Sequence, residues 1–209
     1  MEKLKSSVTN MVLVLTGIAA IMAGILAYVN HVTEGPITQQ KEKALSDGIK
    51  AVMGGGDLTV SKTDTVRQND AKGKELIYII YQTQDAQKKD LGAAVESTTG
   101  GFGGNLKVLV GFDPEGNILG YTLLEHAETP GLGAKADKWF QKGEKGDIIG
   151  KNPKDELTVS KDGGKVDAIT ASTITSRAFL LAVNNAYKAY KATPIDAESG
   201  ATKQIKENN

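Results

Sequence analysis

Cysteine is absent from the 209 residues, and histidine occurs only twice, as His31 and His126. The missing thiols exclude thiolate-held iron–sulfur clusters, thioether-linked haem, CxxC redox pairs and disulfide frameworks. Two isolated imidazoles cannot build a three-histidine zinc site or paired haem ligands, which leaves a carboxylate-rich site as the open metal option. Redox chemistry here would have to use an organic cofactor. An excess charge of either sign is also missing: 25 basic and 25 acidic residues cancel. No overall field therefore draws the chain to nucleic acid. Nor is there an internal repeat at the roughly 20–50-residue periods of solenoids. What remains is a length suited to one domain plus an accessory segment, and such a domain buries a core without metal or disulfide staples.

Between Lys5 and Glu34 there is no Asp, Glu, Lys or Arg, and Met11 to Val29 (MVLVLTGIAAIMAGILAYV) is almost wholly apolar. At ~1.5 Å rise per residue this run spans roughly 28 Å, close to the ~30 Å hydrocarbon thickness of a bilayer. The alternatives are a cleaved signal peptide and a buried core helix. The run exceeds the ~7–15 apolar residues of a signal-peptide core and lacks a small-x-small cleavage site after it. Residues 8–30 are thus expected to be an uncleaved transmembrane helix. Lys3 and Lys5 precede it, and no Lys or Arg follows until Lys41. The positive-inside tendency keeps residues 1–7 in the cytoplasm and sends the rest across, to the periplasm or outer face in a bacterium.

Residues 31–56 read as a juxtamembrane helix and linker, with Pro36 near the helix start and Gly54-Gly55-Gly56 ending it. An extracytoplasmic domain is expected over 57–195 and a flexible tail over 196–209. Leu76 to Tyr81 (LIYIIY) and Leu91 to Glu96 (LGAAVE) read as strands. The clearest element is Leu106 to Glu125, where two apolar runs flank Asp113-Pro114-Glu115-Gly116-Asn117. Pro presets the turn and Gly supplies positive φ, which predicts an antiparallel hairpin. Its strands are apolar on both faces, so a second layer has to cover the outer one. A short helix is expected around Trp139, a strand near Leu157 to Ser160, and a long helix over Ile174 to Ala192. The fold class is α+β, a mainly antiparallel sheet with packed helices.

Three stretches carry residue choices that packing alone does not explain. Asp167-Ala168-Ile169-Thr170-Ala171-Ser172-Thr173-Ile174-Thr175-Ser176 directly precedes and opens the long helix. Hydroxyls and small side chains at a helix N-terminus, with free N–H groups and the positive end of the dipole, suit a phosphate. Ordinary N-capping is the simpler account, yet one cap needs one hydroxyl and this run has five. Glu125 to Gly133 (EHAETPGLG) suggests a sharp turn at Pro130-Gly131 and open backbone at Gly133. A plain β-turn explains it equally, and a Glu128–His126 acid–base pair lacks a third partner. Gly100, Phe102, Gly103 and Gly104 could admit a flat ring against the backbone or form an ordinary flexible loop.

Together, GFGG, a hairpin, ETPGLG and a hydroxyl-rich DxxT-type run opening a helix resemble the FMN-binding G subunit of the Rnf electron-transport complex. The C subunit of the sodium-pumping NADH:quinone reductase is its relative. The resemblance implies a membrane-anchored subunit that carries FMN and relays electrons in an ion-transporting ferredoxin:NAD oxidoreductase, among other membrane subunits. It also implies a flavin transferase that links the FMN phosphate to the last residue of an S/T-G-A-T motif. The matching run is Thr170-Ala171-Ser172-Thr173, with Asp167 in the preceding acidic position, so Thr173 is the implied attachment residue. Thr129 and Leu132 are the implied ring contacts, with Glu128, Gly131, Gly133, Ile174 and Thr175 around them. Gly is usual where Ala171 stands, and Ala where Ser172 stands. If that turn needs positive φ, Ala171 costs on the order of 1 kcal/mol. The same fold in the quinone reductase, a stand-alone flavin shuttle and a non-redox anchored binding module are the rival readings.

Overall fold

The computed structural model describes residues 8–69 and 75–192; the expectations for residues 1–7 and 196–209 lie outside them. Helix α1 runs from Val8 to Val52. The chain divides into two units, residues 1–44 and 45–209.

In the first unit, apolar side chains cover the helix all round, and Met11, Leu13, Leu15, Ile21 and Leu26 are each more than half exposed. A helix that is hydrophobic on every side is either a core helix or a membrane span. These side chains are left uncovered, and the segment fits a single-pass membrane anchor. Pro36 does not start a second helix but lies inside α1. Its ring lacks the N–H that would reach the carbonyl four residues back. On either side, the Thr33 hydroxyl donates to the Val29 carbonyl at 2.8 Å and the Thr38 hydroxyl to that of Glu34 at 2.9 Å.

The second unit is built on a five-stranded antiparallel meander: β1 (Leu58–Asn69), β2 (Glu75–Asp85), β3 (Asp90–Gly100), β4 (Asn105–Phe112) and β5 (Ile118–His126). The strands lie side by side in chain order. The expected hairpin is β4–β5, closed by Asp113, whose carboxylate accepts from the N–H groups of Gly116 and Asn117, both at 2.7 Å. β1 went unread in the sequence because it is mostly polar and exposed, as an edge strand is.

Strand alternation sends Leu106, Val108, Val110 and Phe112 to one face of the sheet, where α3 (Thr173–Ala192) covers them. Phe179 of that helix stacks on Phe140 with ring centroids 4.3 Å apart and meets Tyr121 edge-on at 4.8 Å. The opposite face carries Tyr81, Ala94 and Leu109, which pack on Ile49, Val52 and Met53 at the end of α1. Paired Gly111 and Gly120 let this helix end approach, since a Cβ on Gly111 would overlap the Val52 carbonyl. The required second layer is therefore helical, and each face has its own helix.

Between β5 and α3 the chain makes α2 (Ala136–Trp139) and a long irregular segment. The strand expected near Leu157 to Ser160 does not form; a single parallel bridge joins Val159 to Val166. The buried Asn184 amide of α3 takes its place, accepting from the Leu157 N–H and donating to its carbonyl, both at 2.9 Å. A backbone satisfied by a side chain needs no ladder partner.

Candidate functional site

The first turn of α3 is held by the Ser176 hydroxyl and the Ser172 carbonyl. Ile169 is buried in the core, and its N–H donates to the Ser176 hydroxyl at 2.9 Å. That hydroxyl donates in turn to the Ser172 carbonyl at 3.0 Å, which also takes the first helical bond, from the Ser176 N–H. The N–H groups of Thr173, Ile174 and Thr175 precede that bond and have no partner within the helix. The Ser172 N–H closes a turn on the Ile169 carbonyl at 3.0 Å, and Ala171 at its third position has φ +61°. The left-handed conformation raised as a condition in the sequence is thus adopted by an L-residue.

The second contribution comes from the loop after β5. Pro130-Gly131 makes a tight turn, with the Leu132 N–H donating to the Thr129 carbonyl at 3.1 Å and Gly131 at φ +77°. The turn brings Glu128 inward to 5% exposure. Its Oε2 accepts from the Thr175 hydroxyl at 2.7 Å, and its Oε1 from the Phe102 and Gly103 N–H groups at 2.7 and 3.3 Å. One carboxylate therefore ties together the β3–β4 loop, the β5 loop and α3. The glycines around it are steric necessities: a Cβ on Gly101 or Gly133 would overlap the Glu128 carboxylate, and one on Gly103 the Ala127 carbonyl. His126 does not pair with that carboxylate; its Nδ1 accepts from the Glu128 N–H at 3.3 Å.

These elements enclose a cavity of about 370 Å³, within the roughly 300–1,000 Å³ of small-molecule sites. Glu128, Thr129, Leu132 and Gly133 of the loop after β5, Ala171 to Thr175 at the start of α3, and Phe102 line it. Three residues named from the sequence lie outside the wall. Gly131 and Thr170 occupy the turns behind it. Asp167 is exposed; its carbonyl accepts from Trp139 Nε1 at 2.8 Å and its carboxylate from the Ser160 hydroxyl at 3.2 Å.

Lys161 had no signal in the sequence, being one lysine in a run rich in Lys, Asp and Gly. Its Nζ donates to the Thr173 hydroxyl at 3.1 Å. The adjacent Asp162 accepts two hydrogen bonds from Arg177 at 2.6 and 2.7 Å, which fastens this turn to α3. The guanidinium holds the Asp162 carboxyl below its ordinary pKa, chiefly through those hydrogen bonds. Phe102 was legible only as part of a glycine loop; its 68% exposure beside the cavity emerges from the fold.

A cavity between a helix N-terminus and small-residue backbone, with a hydroxyl and a cation at its edge, suits a flat ring carrying a phosphate. A family profile described as an FMN-binding domain matches residues 101–188, which include every wall residue of the cavity. FMN is the cofactor of this class, and the residues present fit it.

Over 176 residues the chain is 35% identical to the G subunit of the ion-translocating oxidoreductase complex of Shewanella baltica (strain OS223), covering 80% of this chain and 82% of that one. The protein of the same name from Yersinia pestis is also 35% identical over 176 residues, covering 80% and 83%. That of Vibrio cholerae serotype O1 (strain M66-2) is 33% identical over 182 residues, covering 83% and 86%. The chain belongs to this family of G subunits, in agreement with the resemblance read from its motifs. The crystal structure of Shewanella oneidensis NqrC is similar with a TM-score of 0.44 and 20% identity, covering 65% of this chain and 71% of that one.

Proposed function

We propose that this chain is the flavoprotein subunit of an Rnf-type ferredoxin:NAD oxidoreductase complex coupled to ion transport, and that it holds FMN by a phosphoester to Thr173. FMN supplies a carrier that takes up and releases single electrons; this chain binds it, orients it and limits its contact with water. Thr173 carries the phosphate at the N-terminus of α3, where unpartnered N–H groups and the helix dipole favour negative charge. Lys161 adds a cation at the same oxygen. The ring lies in the cavity against Thr129, Leu132 and the backbone of Gly133. A flavin transferase forms the bond, and the N-terminal helix holds the domain on the extracytoplasmic side, where a lost flavin would not readily be replaced.

The observation that carries this reading is the position of the Thr173 hydroxyl, half-buried at the edge of the cavity and 3.1 Å from Lys161 Nζ. The test is intact mass and visible absorbance of the full chain co-produced with a flavin transferase. Wild type gains the mass of FMN less water and a yellow colour that survives denaturation, and Thr173→Ala gains neither. A colourless wild type under active transferase sinks the covalent reading and favours a non-redox anchored module.

A further inference from the structure

Among the described residues, Glu128 is the only acidic or basic side chain that is buried. Burying a charge is costly unless other groups compensate it. Here the compensation comes from dipoles alone: two backbone N–H groups on one oxygen and a hydroxyl on the other. Backbone N–H groups can only donate, and this is a set that holds a carboxylate. No salt bridge reaches Glu128 among the described residues. Its net negative charge is therefore uncancelled, and it faces the cavity. Loop anchoring alone would not require it, because a neutral amide could also accept from Phe102 and Gly103.

Resting on the flavin reading above, we propose that the Glu128 carboxylate is a fixed negative charge that sets the redox poise of the flavin by opposing its one-electron reduction. Glu128 is a positioning residue for the loops and an electrostatic one for the ring. The electron comes from a reduced redox partner, which is oxidised by one. Gained without a proton, it makes the ring more negative by one unit. A like charge held in the cavity wall, with little water between, raises the free energy of that product more than that of the oxidised ring. The potential is lowered. The Thr175 hydroxyl moderates the effect by drawing charge from Oε2.

The experiment is an anaerobic reductive titration, with dithionite and mediators, of the flavin-loaded full chain as wild type, Glu128→Gln and Thr175→Val. Glu128→Gln removes the charge and keeps the shape; it favours reduction at least tenfold, a rise of about 59 mV for one electron. Thr175→Val keeps the charge and removes one of its donors; it disfavours reduction about two- to fivefold. The opposite signs separate an electrostatic role from a structural one, which would move both variants the same way. A loaded Glu128→Gln within twofold of wild type, or two shifts of one sign, overturns the proposal. If Glu128→Gln takes up no flavin, Thr175→Val decides alone: a lower potential supports the proposal, and an equal or higher one overturns it. Loss of loading in both folded variants shows a role in shape alone and overturns it too. A wild type that never acquires flavin is recognised beforehand by its mass, and defeats the flavin reading together with this proposal.

Discussion

Two four-residue turns flank the cavity, with the same hydrogen bond and the same backbone demand but different means of meeting it. Thr129-Pro130-Gly131-Leu132 and Ile169-Thr170-Ala171-Ser172 each close with an N–H to carbonyl bond, of 3.1 and 3.0 Å, and each has positive φ at its third residue. In the first, Pro presets the second position and Gly takes the left-handed conformation without steric penalty, the chemistry of a type II turn. In the second, Ala171 holds φ +61° at a cost of about 1–2 kcal/mol for an L-residue. One turn follows from its own residues. The other is imposed by its neighbours: Ile169 locked in the core, and the Ser176 hydroxyl bridging the Ile169 N–H to the Ser172 carbonyl. Strain of this kind persists only where the surroundings over-determine the conformation, and it adjoins the residue we assign to flavin attachment.

The largest effect on this contrast comes from removing the clamp. Ser176→Ala leaves the buried Ile169 N–H without an acceptor, which costs about 2 kcal/mol. It also frees the strained turn, so flavin incorporation at Thr173 slows. Chemical unfolding of the detergent-solubilised full chain reads the first effect and timed mass spectrometry the second; an unchanged midpoint would show that the clamp does not impose the turn. Next comes Gly131→Ala, which brings into the unstrained turn the cost that the other already bears. Destabilisation of about 1 kcal/mol is expected, and none would mean that this turn relaxes to another form. The smallest effect is that of Ala171→Gly, which relieves strain and stabilises the chain by up to about 1 kcal/mol. It also makes the two turns alike, and flavin incorporation at least as fast as in wild type is the matching kinetic expectation. A destabilised Ala171→Gly variant would contradict the account of strain.

Much of the fold was legible. The hairpin, the strand at Leu76 and the long C-terminal helix carry strong local signals, namely alternation, β-branched and aromatic runs, a Pro-Gly turn and a helical period, and the strand at Leu91 a weaker one. Each misreading has its own physical cause. β1 has little apolar alternation because it is an edge strand. Leu157 to Ser160 has strand-like residues, but a buried Asn184 satisfies the backbone of Leu157. Pro36 looks like a helix start and is carried inside α1 by the turns on both sides of it.

At the site, the sequence alone determined which segments line most of the cavity. Five hydroxyls at a helix start, a Pro-Gly turn and glycine-rich backbone are local features, legible because backbone sterics and capping act over a few residues. It also determined the apolar anchor and the exclusion of thiol-based cofactors. Only the tertiary structure decided that Glu128 turns inward to join two loops and α3, that Phe102 rather than Gly131 or Thr170 lines the cavity, and that Lys161 lies on Thr173. These contacts link positions 12 to 47 residues apart. Their energy depends on burial and on the meeting of separate elements, quantities that a local pattern of residues does not contain.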